Sequence, residues 1–447
     1  MPNVVRRVVA AGFVAAIGQN SQALAGGFAL EQHNARALGA AFAGAQARRA
    51  DPGLAFYNPA AIAGISSAEI SVNATGVWSR TSYENAQGAL FGVAPVSGTA
   101  SARDYAGEAV VPSFVIAAPV GGRVTIGLSV HAPFGLNTQF EPDSVIRYHA
   151  QFSEAKTIAA TPTIAIELTD DFTIAGGLRI QYLDLSVTGI IDAGGIAAAN
   201  MVPGFAPGSS DLPAAFDGDD VEIGFTAGFQ LSLTPQLTLG GSFASKADFD
   251  LKGDAEFDLA ASPAAQVLNA LGGAIAPTTF TSPFNTPAIA GVGVEYAANE
   301  RWTLLASTTW TGWSSFEDVS LVFANPAQPP EILDQDWKDG WTVSLGAEYA
   351  ALETTTLRAG FMYDATPVNG ALASPRIPDA DRYWASAGVT QKFSDRISGD
   401  LGVAVAFFED RDISNSGLAP NDLLRGSLDT TLKSTAYAVS GRLRFSF

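Results

Sequence analysis

The stretch from Lys433 to Phe447 alternates without a break and stops on an aromatic side chain. Tyr437, Val439, Leu443, Phe445 and Phe447 fall on one face, and Ala436, Ala438, Ser440, Arg442, Arg444 and Ser446 on the other. A period of two means a strand, and one apolar face opposite one polar face places it between oil and water. A closing strand that ends in Phe is typical of bacterial outer-membrane barrels, which makes the membrane the first hypothesis. The barrel-assembly machinery, engaging Phe447, is then an expected partner, together with outer-membrane lipid and lipopolysaccharide.

The start of the chain agrees. Arg6 and Arg7 precede the apolar run Val8 to Ile17, followed by small residues at Ala23 and Ala25. This pattern predicts a secretory signal peptide over residues 1–25, with the mature chain beginning at Gly26. The run is about half the ~20 apolar residues that a spanning helix needs.

Composition narrows the class. The chain has no cysteine, so there is no disulfide framework and no thiolate chemistry. Without Arg6 and Arg7 it carries 23 basic against 44 acidic residues, or −21, which excludes a nucleic-acid partner. With 47% hydrophobic and only 15% charged residues it is not a disordered acidic chain. No later stretch approaches the ~18 consecutive apolar residues of a membrane helix. Only a closed barrel satisfies every backbone group in lipid without helices.

Fourteen strand-like runs recur between residue 66 and the end. Tight turns at Val120–Gly122, Asp170–Asp171, Pro235, Asn299–Glu300, Leu352–Glu353 and Ser394–Asp395 alternate with long connections. Strict short–long alternation predicts an all-β transmembrane antiparallel barrel over residues 66–447, with periplasmic turns and extracellular loops. Trp78, Trp302, Trp310, Trp313, Phe316, Trp337, Trp341 and Trp384 lie near strand ends and are expected in the interfacial girdles. The Ala/Gly-rich leader, residues 26–65, is not wall. It lies either in the periplasm or folded back into the lumen, which a barrel of this size can accommodate.

The leader also carries a family resemblance. Gly26-Gly27-Phe28, Leu38-Gly39-Ala-Ala-Phe42-Ala-Gly44 and Asn58-Pro59-Ala60 resemble the N-terminal hatch of the FadL-type outer-membrane transporters. The likeness continues through Pro133-Phe-Gly-Leu136, Trp313-Ser-Ser-Phe316, Trp337-Lys-Asp339 and Leu357-Arg-Ala-Gly-Phe361. It is strongest over Tyr363-Asp-Ala-Thr-Pro-Val368 and Pro378-Asp-Ala-Asp-Arg382-Tyr-Trp384. The resemblance implies a monomeric fourteen-stranded barrel plugged by the hatch, passing long-chain fatty acids or aromatic hydrocarbons. It implies capture between extracellular loops, transfer to a pocket at the hatch, and exit through the wall at an inward kink of the third strand.

The residues permit that route. Strand 3 meets His131-Ala-Pro133-Phe134-Gly135 before Leu136; Pro133 cannot donate to a ladder and Gly135 tolerates unusual dihedrals. The alternative is that Pro133 simply ends the strand. Ile190 and Ile191, with Val267, Leu268 and Leu271 at helical spacing, form either a hydrophobic capture groove or two loop helices packed on the rim. In the hatch, Phe28 and Leu30 offer apolar surface. Asn58 offers polar anchoring to wall or substrate, and Asn58-Pro59 also suits a turn.

A fatty-acid carboxylate needs a cation or several donors. Inward-phase candidates are Arg179, Arg358, Arg382 and Arg442. By the family alignment, Asp184 and Leu333 stand where fatty-acid transporters carry basic residues, which gives weight to a neutral hydrocarbon. His33, His131 and His149 are too few and too scattered for a metal site or a catalytic triad, so the chain is not read as an enzyme and no cofactor is expected. A general porin and an outer-membrane phospholipase are the remote alternatives.

Overall fold

The computed structural model describes residues 26–272, 275–419 and 422–447; the signal-peptide assignment lies outside them. The wall has fourteen antiparallel strands. They are β1 (Glu69–Leu90), β2 (Ala109–Gly121), β3 (Val124–His131, resuming as Gly135–Gln139), β4 (Phe152–Glu167), β5 (Phe172–Asp192) and β6 (Asp211–Thr234). Then come β7 (Leu237–Ala244 and Ala247–Phe257), β8 (Thr278–Thr286 and Ile289–Ala297), β9 (Trp302–Thr311) and β10 (Gly340–Leu352). The last four are β11 (Thr355–Asp364), β12 (Arg382–Lys392), β13 (Ile397–Phe408) and β14 (Ser427–Ser446). β14 pairs with β1 from Glu69↔Ser446 to Ala89↔Ser427, which closes the barrel.

The outward phase is oil-facing. Val72, Ile126, Ile164, Ile223, Val292, Leu345, Phe361, Leu401 and Leu443 are all exposed, an arrangement that water would not support. No described helix is long and apolar enough to cross a membrane. Several strands run further than alternation predicts: β1 continues past residue 80 to Leu90, and β6 begins at Asp211 rather than near 220. Beyond the bilayer the outward face turns polar, as in Arg80, Ser82 and Glu84, so the two-phase signal fades while the ladder continues.

Residues 26–64 fill the lumen. A short helix, α1 (Ala35–Leu38), is capped by the Asn34 side chain, which accepts from the Arg36 and Ala37 amides. The Ala/Gly richness has a packing reason. A Cβ on Gly360 of β11 would lie 2.1 Å from the Ala40 carbonyl oxygen, so only glycine lets hatch and wall backbones meet there.

Six charges lock the hatch to one side of the wall in a closed ring. Asp51 pairs with Arg36 (2.9 Å), Arg36 with Glu348 of β10 (3.3 Å) and Glu348 with Arg358 of β11 (3.1 Å). Arg358 continues to Asp400 of β13 (3.3 Å), Asp400 to Arg442 of β14 (2.7 Å), and Arg442 back to Asp51 (2.6 Å). Arg48 joins through Glu348 (2.7 Å) and is balanced by Glu295 (3.4 Å). Four arginines meet four carboxylates, so the buried network is neutral.

Candidate functional site

Above the hatch, on the long-loop side, a vestibule encloses about 1430 Å³ of empty space, part of it open to the exterior. Phe28, Phe216, Phe280, Phe284, Phe316 and Leu136 make it apolar. Its floor is Phe28, which is 2% exposed and sits in an aromatic cage. Ring centroids of Trp313 (4.6 Å), Phe316 (5.6 Å), Phe284 (5.8 Å), Phe134 (5.9 Å) and Trp337 (6.0 Å) surround it. Gly27 makes the cage feasible: it has φ +69°, and a Cβ there would lie 2.5 Å from Trp337.

The vestibule's polar groups come from loops. Arg425 is paired with Glu331 (2.5 Å). Burial, with Arg425 and Arg376 alongside, pushes the His149 imidazole down to about 3, so it is neutral. Arg376 is different. Its Nη1 donates to the Phe152 carbonyl (3.2 Å), Ser153 Oγ (3.1 Å) and the Thr188 carbonyl (3.0 Å), all uncharged, and its Nε has no partner. Burial and Arg425 lower it to about 10, which leaves it cationic at neutral pH.

Beside the floor, β3 is interrupted. β2–β3 pairing stops at Phe114↔Val130. β3–β4 pairing stops at His131↔Ala159 and resumes at Gly135↔Lys156. Between these points the chain bends inward to meet the hatch: Leu30 N–H donates to the Pro133 carbonyl and Gly135 N–H to the Phe28 carbonyl, both at 2.9 Å. Thr157 Oγ1 accepts from Phe134 N–H (2.8 Å) and donates to its carbonyl (2.7 Å). The freed backbone groups are thus satisfied internally, and Ala109–Ser113 of β2 pair with β1 but have no β3 partner. Pro133 does not merely end the strand; it sits in a break in the wall's hydrogen-bond ladder, a window in the pairing of β3 with its neighbours.

The structure brings Phe28 and Leu136 to the vestibule, and Leu30, His131 and Pro133 to a second chamber below it. Phe134 packs in the cage, with Gly135 beside it at the window. Other expectations are corrected. Arg382 is fully buried between Asp364 (3.2 Å) and Asp379 (2.6 Å), so its charge is already balanced. Asn58 anchors to protein rather than substrate: its amide donates to the carbonyls of Gln46 (2.6 Å) and Phe229 (2.9 Å), and its oxygen caps the turn at Pro59–Ile62. Pro59 is buried in that turn.

The two loop helices, α2 (Ala193–Ala199) and α3 (Pro263–Gly272), pack on each other at the rim. Ile191 and Leu268 join that packing, Ile190 is half-buried, and Val267 and Leu271 remain exposed. Trp78, Trp302 and Trp341 face outward as girdle residues, but Trp313, Phe316, Trp337 and Trp384 are buried inside. The chain leaves β9 in a 3-10 turn at Trp313–Ser315, which carries two of these rings inward. Asp184 shares the outer face of β5 with Ile180 and Tyr182, so its acid does not enter the vestibule, whereas Leu333 does line it.

Truncation of Phe28 to Ala should weaken ligand retention about tenfold and leave the barrel folded. An unchanged affinity in the purified variant would remove the mature terminus from the pocket.

A closed barrel with an oil-facing outer surface, an internal plug, an apolar vestibule and an interrupted third strand is an outer-membrane transport channel for hydrophobic molecules. The family model described as outer membrane protein transport protein (OMPP1/FadL/TodX) matches residues 16–447, and the chain belongs to that family. A putative outer membrane protein of Neisseria meningitidis serogroup B is 27% identical over 365 residues, covering 77% of this chain and 78% of the relative. The long-chain fatty acid transport protein of Salmonella typhi is 25% identical over 398 residues, covering 86% and 88%. Among solved structures, a Pseudomonas aeruginosa FadL homologue superposes with TM-score 0.85 at 26% identity, covering 94% of this chain and all of that one. The family consists of outer-membrane transport channels, not enzymes.

Proposed function

We propose that this channel takes up long-chain fatty acids. The observation that carries the reading is Arg376: among the described residues its guanidinium forms no ion pair with a carboxylate, on the wall of a vestibule that also holds the Arg425–Glu331 pair, Asp334 and Asp422. A long alkyl chain gains roughly 0.8 kcal/mol per buried CH₂ against such a wall. Its carboxylate would be drawn to the positive charge of the Arg376 guanidinium. The similarity to proteins named for long-chain fatty acid transport supports the same choice.

In this reading the exposed apolar face of α2 and α3, with Leu271 and Val267, makes first contact with the substrate. The Phe28 floor then yields, and the substrate leaves sideways through the window at His131–Gly135. The barrel works as a monomer in lipid and lipopolysaccharide, delivered there by a signal peptide and by the assembly machinery acting on Phe447.

One observation favours aromatic hydrocarbon instead: Leu333 lines the vestibule near an aromatic floor. Uptake of labelled oleate against labelled toluene decides, in cells stripped of their own transporter. Oleate uptake that falls about tenfold in Arg376→Gln, with toluene unaffected, is the expected result. Toluene uptake alone would overturn the fatty-acid reading.

A further inference from the structure

Beneath the Phe28 cage lies the second chamber, about 900 Å³ of empty space, part of it open to the exterior. Leu30, Phe56, Phe243, Ile289 and Trp313 make most of its surface apolar, and it reaches Pro133 at the window. Arg179 enters it from β5 and is only 4% exposed. Its Nη2 donates to the Ser245 carbonyl, and its Nε has no partner. Among the described residues no carboxylate forms an ion pair with it, whereas Arg358, Arg382 and Arg442 each have two.

The local backbone is arranged for this guanidinium. Gly224 of β6 stands opposite Arg179 in the register, and a Cβ there would lie 2.5 Å from Ser245 Oγ and 3.8 Å from Arg179 Nε. The side chain passes over that glycine to reach β7 where the β6–β7 ladder is interrupted. Pairing stops at Thr226↔Ala244 and resumes at Asp219↔Lys252. Two carboxyls line the chamber, and neither serves as its counter-ion. Asp364 is held by Arg382 at 3.2 Å. Glu31 is pushed up to about 8 by burial and by Asp364, so it is mostly neutral at pH 7.

A buried guanidinium facing an apolar cavity with one neutral partner is an anion site. We infer that the chamber is a second binding station, receiving the carboxylate head of a long-chain monocarboxylate at Arg179 while the alkyl tail lies along Leu30, Phe56 and Trp313. This rests on the fatty-acid reading of the vestibule. A substrate leaving Arg376 would thereby exchange one guanidinium for another before meeting the window, and its charge would not cross the lumen unpaired.

The test is oleate binding to the purified full barrel in nanodiscs by calorimetry, with oleyl alcohol as the neutral probe. Two oleate sites are expected. Arg179→Gln should weaken one of them tenfold or more, leave oleyl alcohol binding within about twofold, and spare the site that Arg376→Gln weakens. Arg179→Lys should restore most of the loss, and heat-shifted electrophoretic mobility confirms folding. One oleate per wild-type barrel, or both sites unchanged in Arg179→Gln, overturns the inference, and the wild-type stoichiometry decides alone should the variants not fold. No oleate binding at all would instead overturn the vestibule reading on which it rests.

Discussion

A Pro133→Thr, Gly135→Val double variant should insert as a folded barrel and yet take up labelled oleate at the rate of cells without a transporter. The window exists because β3 leaves both of its neighbours between His131 and Gly135. Proline contributes no N–H to a ladder, and glycine brings no side chain to pack on the strand where valine would. Threonine and valine both favour an extended, half-buried strand, so the pair pulls β3 back toward Ala109–Ser113 of β2, whose outer side lacks a partner. Closing the window leaves the substrate no sideways path, and the ionic ring blocks the route straight down. Binding in the vestibule should persist within about threefold, because Phe28 and Arg376 are untouched. That separation of binding from uptake is the signature of a sealed exit. Unchanged uptake by a barrel of normal heat-shifted mobility would rule the window out.

The barrel was legible because lipid on one side and a filled lumen on the other impose a period of two on every strand, down to Arg442 and Leu443 on opposite faces. Loop lengths supplied the topology, and Pro133 with Gly135 marked the interruption. What alternation could not rank was charge. Arg179, Arg358, Arg382 and Arg442 share one inward phase, yet three of them have carboxylate partners, Arg358 on other strands, Arg442 on another strand and the hatch, and Arg382 on the neighbouring strand and three residues earlier in the chain. Arg376 has no phase to read, since it lies in the connection between β11 and β12. The aromatic cage was hidden for a related reason: Trp313 and Trp337 sit at strand ends, where a girdle and an inward turn look alike in sequence. The signal that could have found them is Gly27, a glycine beside Phe28 at the start of the hatch, which demands bulky neighbours only in three dimensions.

The ring that holds the hatch should fail when one of its charges is removed alone. In Arg442→Met, Asp51 and Asp400 each lose a partner and the network is left with an uncompensated buried negative charge. Breaking a buried ion pair from one side costs roughly 3–5 kcal/mol. Most of that falls on hatch docking, since the wall ladders are untouched. A barrel of fourteen strands without its plug has an aqueous lumen. The variant should therefore show large, fluctuating conductance in planar bilayers, where the native channel stays closed. Arg442→Met combined with Asp400→Leu removes one charge of each sign. Three arginines then face Asp51, Glu295 and Glu348, the network is neutral again, and conductance should fall back by at least half. If the two substitutions simply add, the ring is not a coupled lock. Acid supplies an independent check. Burial alone would raise the Asp51 carboxyl, but Arg442 and Arg36 hold it well below the usual carboxylate range. A depressed carboxyl contributes stability that is present above its ordinary value and is lost only as pH falls through the lowered one. The native plug should accordingly stay closed at pH 5, and Asp51→Asn should conduct at pH 5 and pH 7 alike, because no proton is left for the ring to exclude.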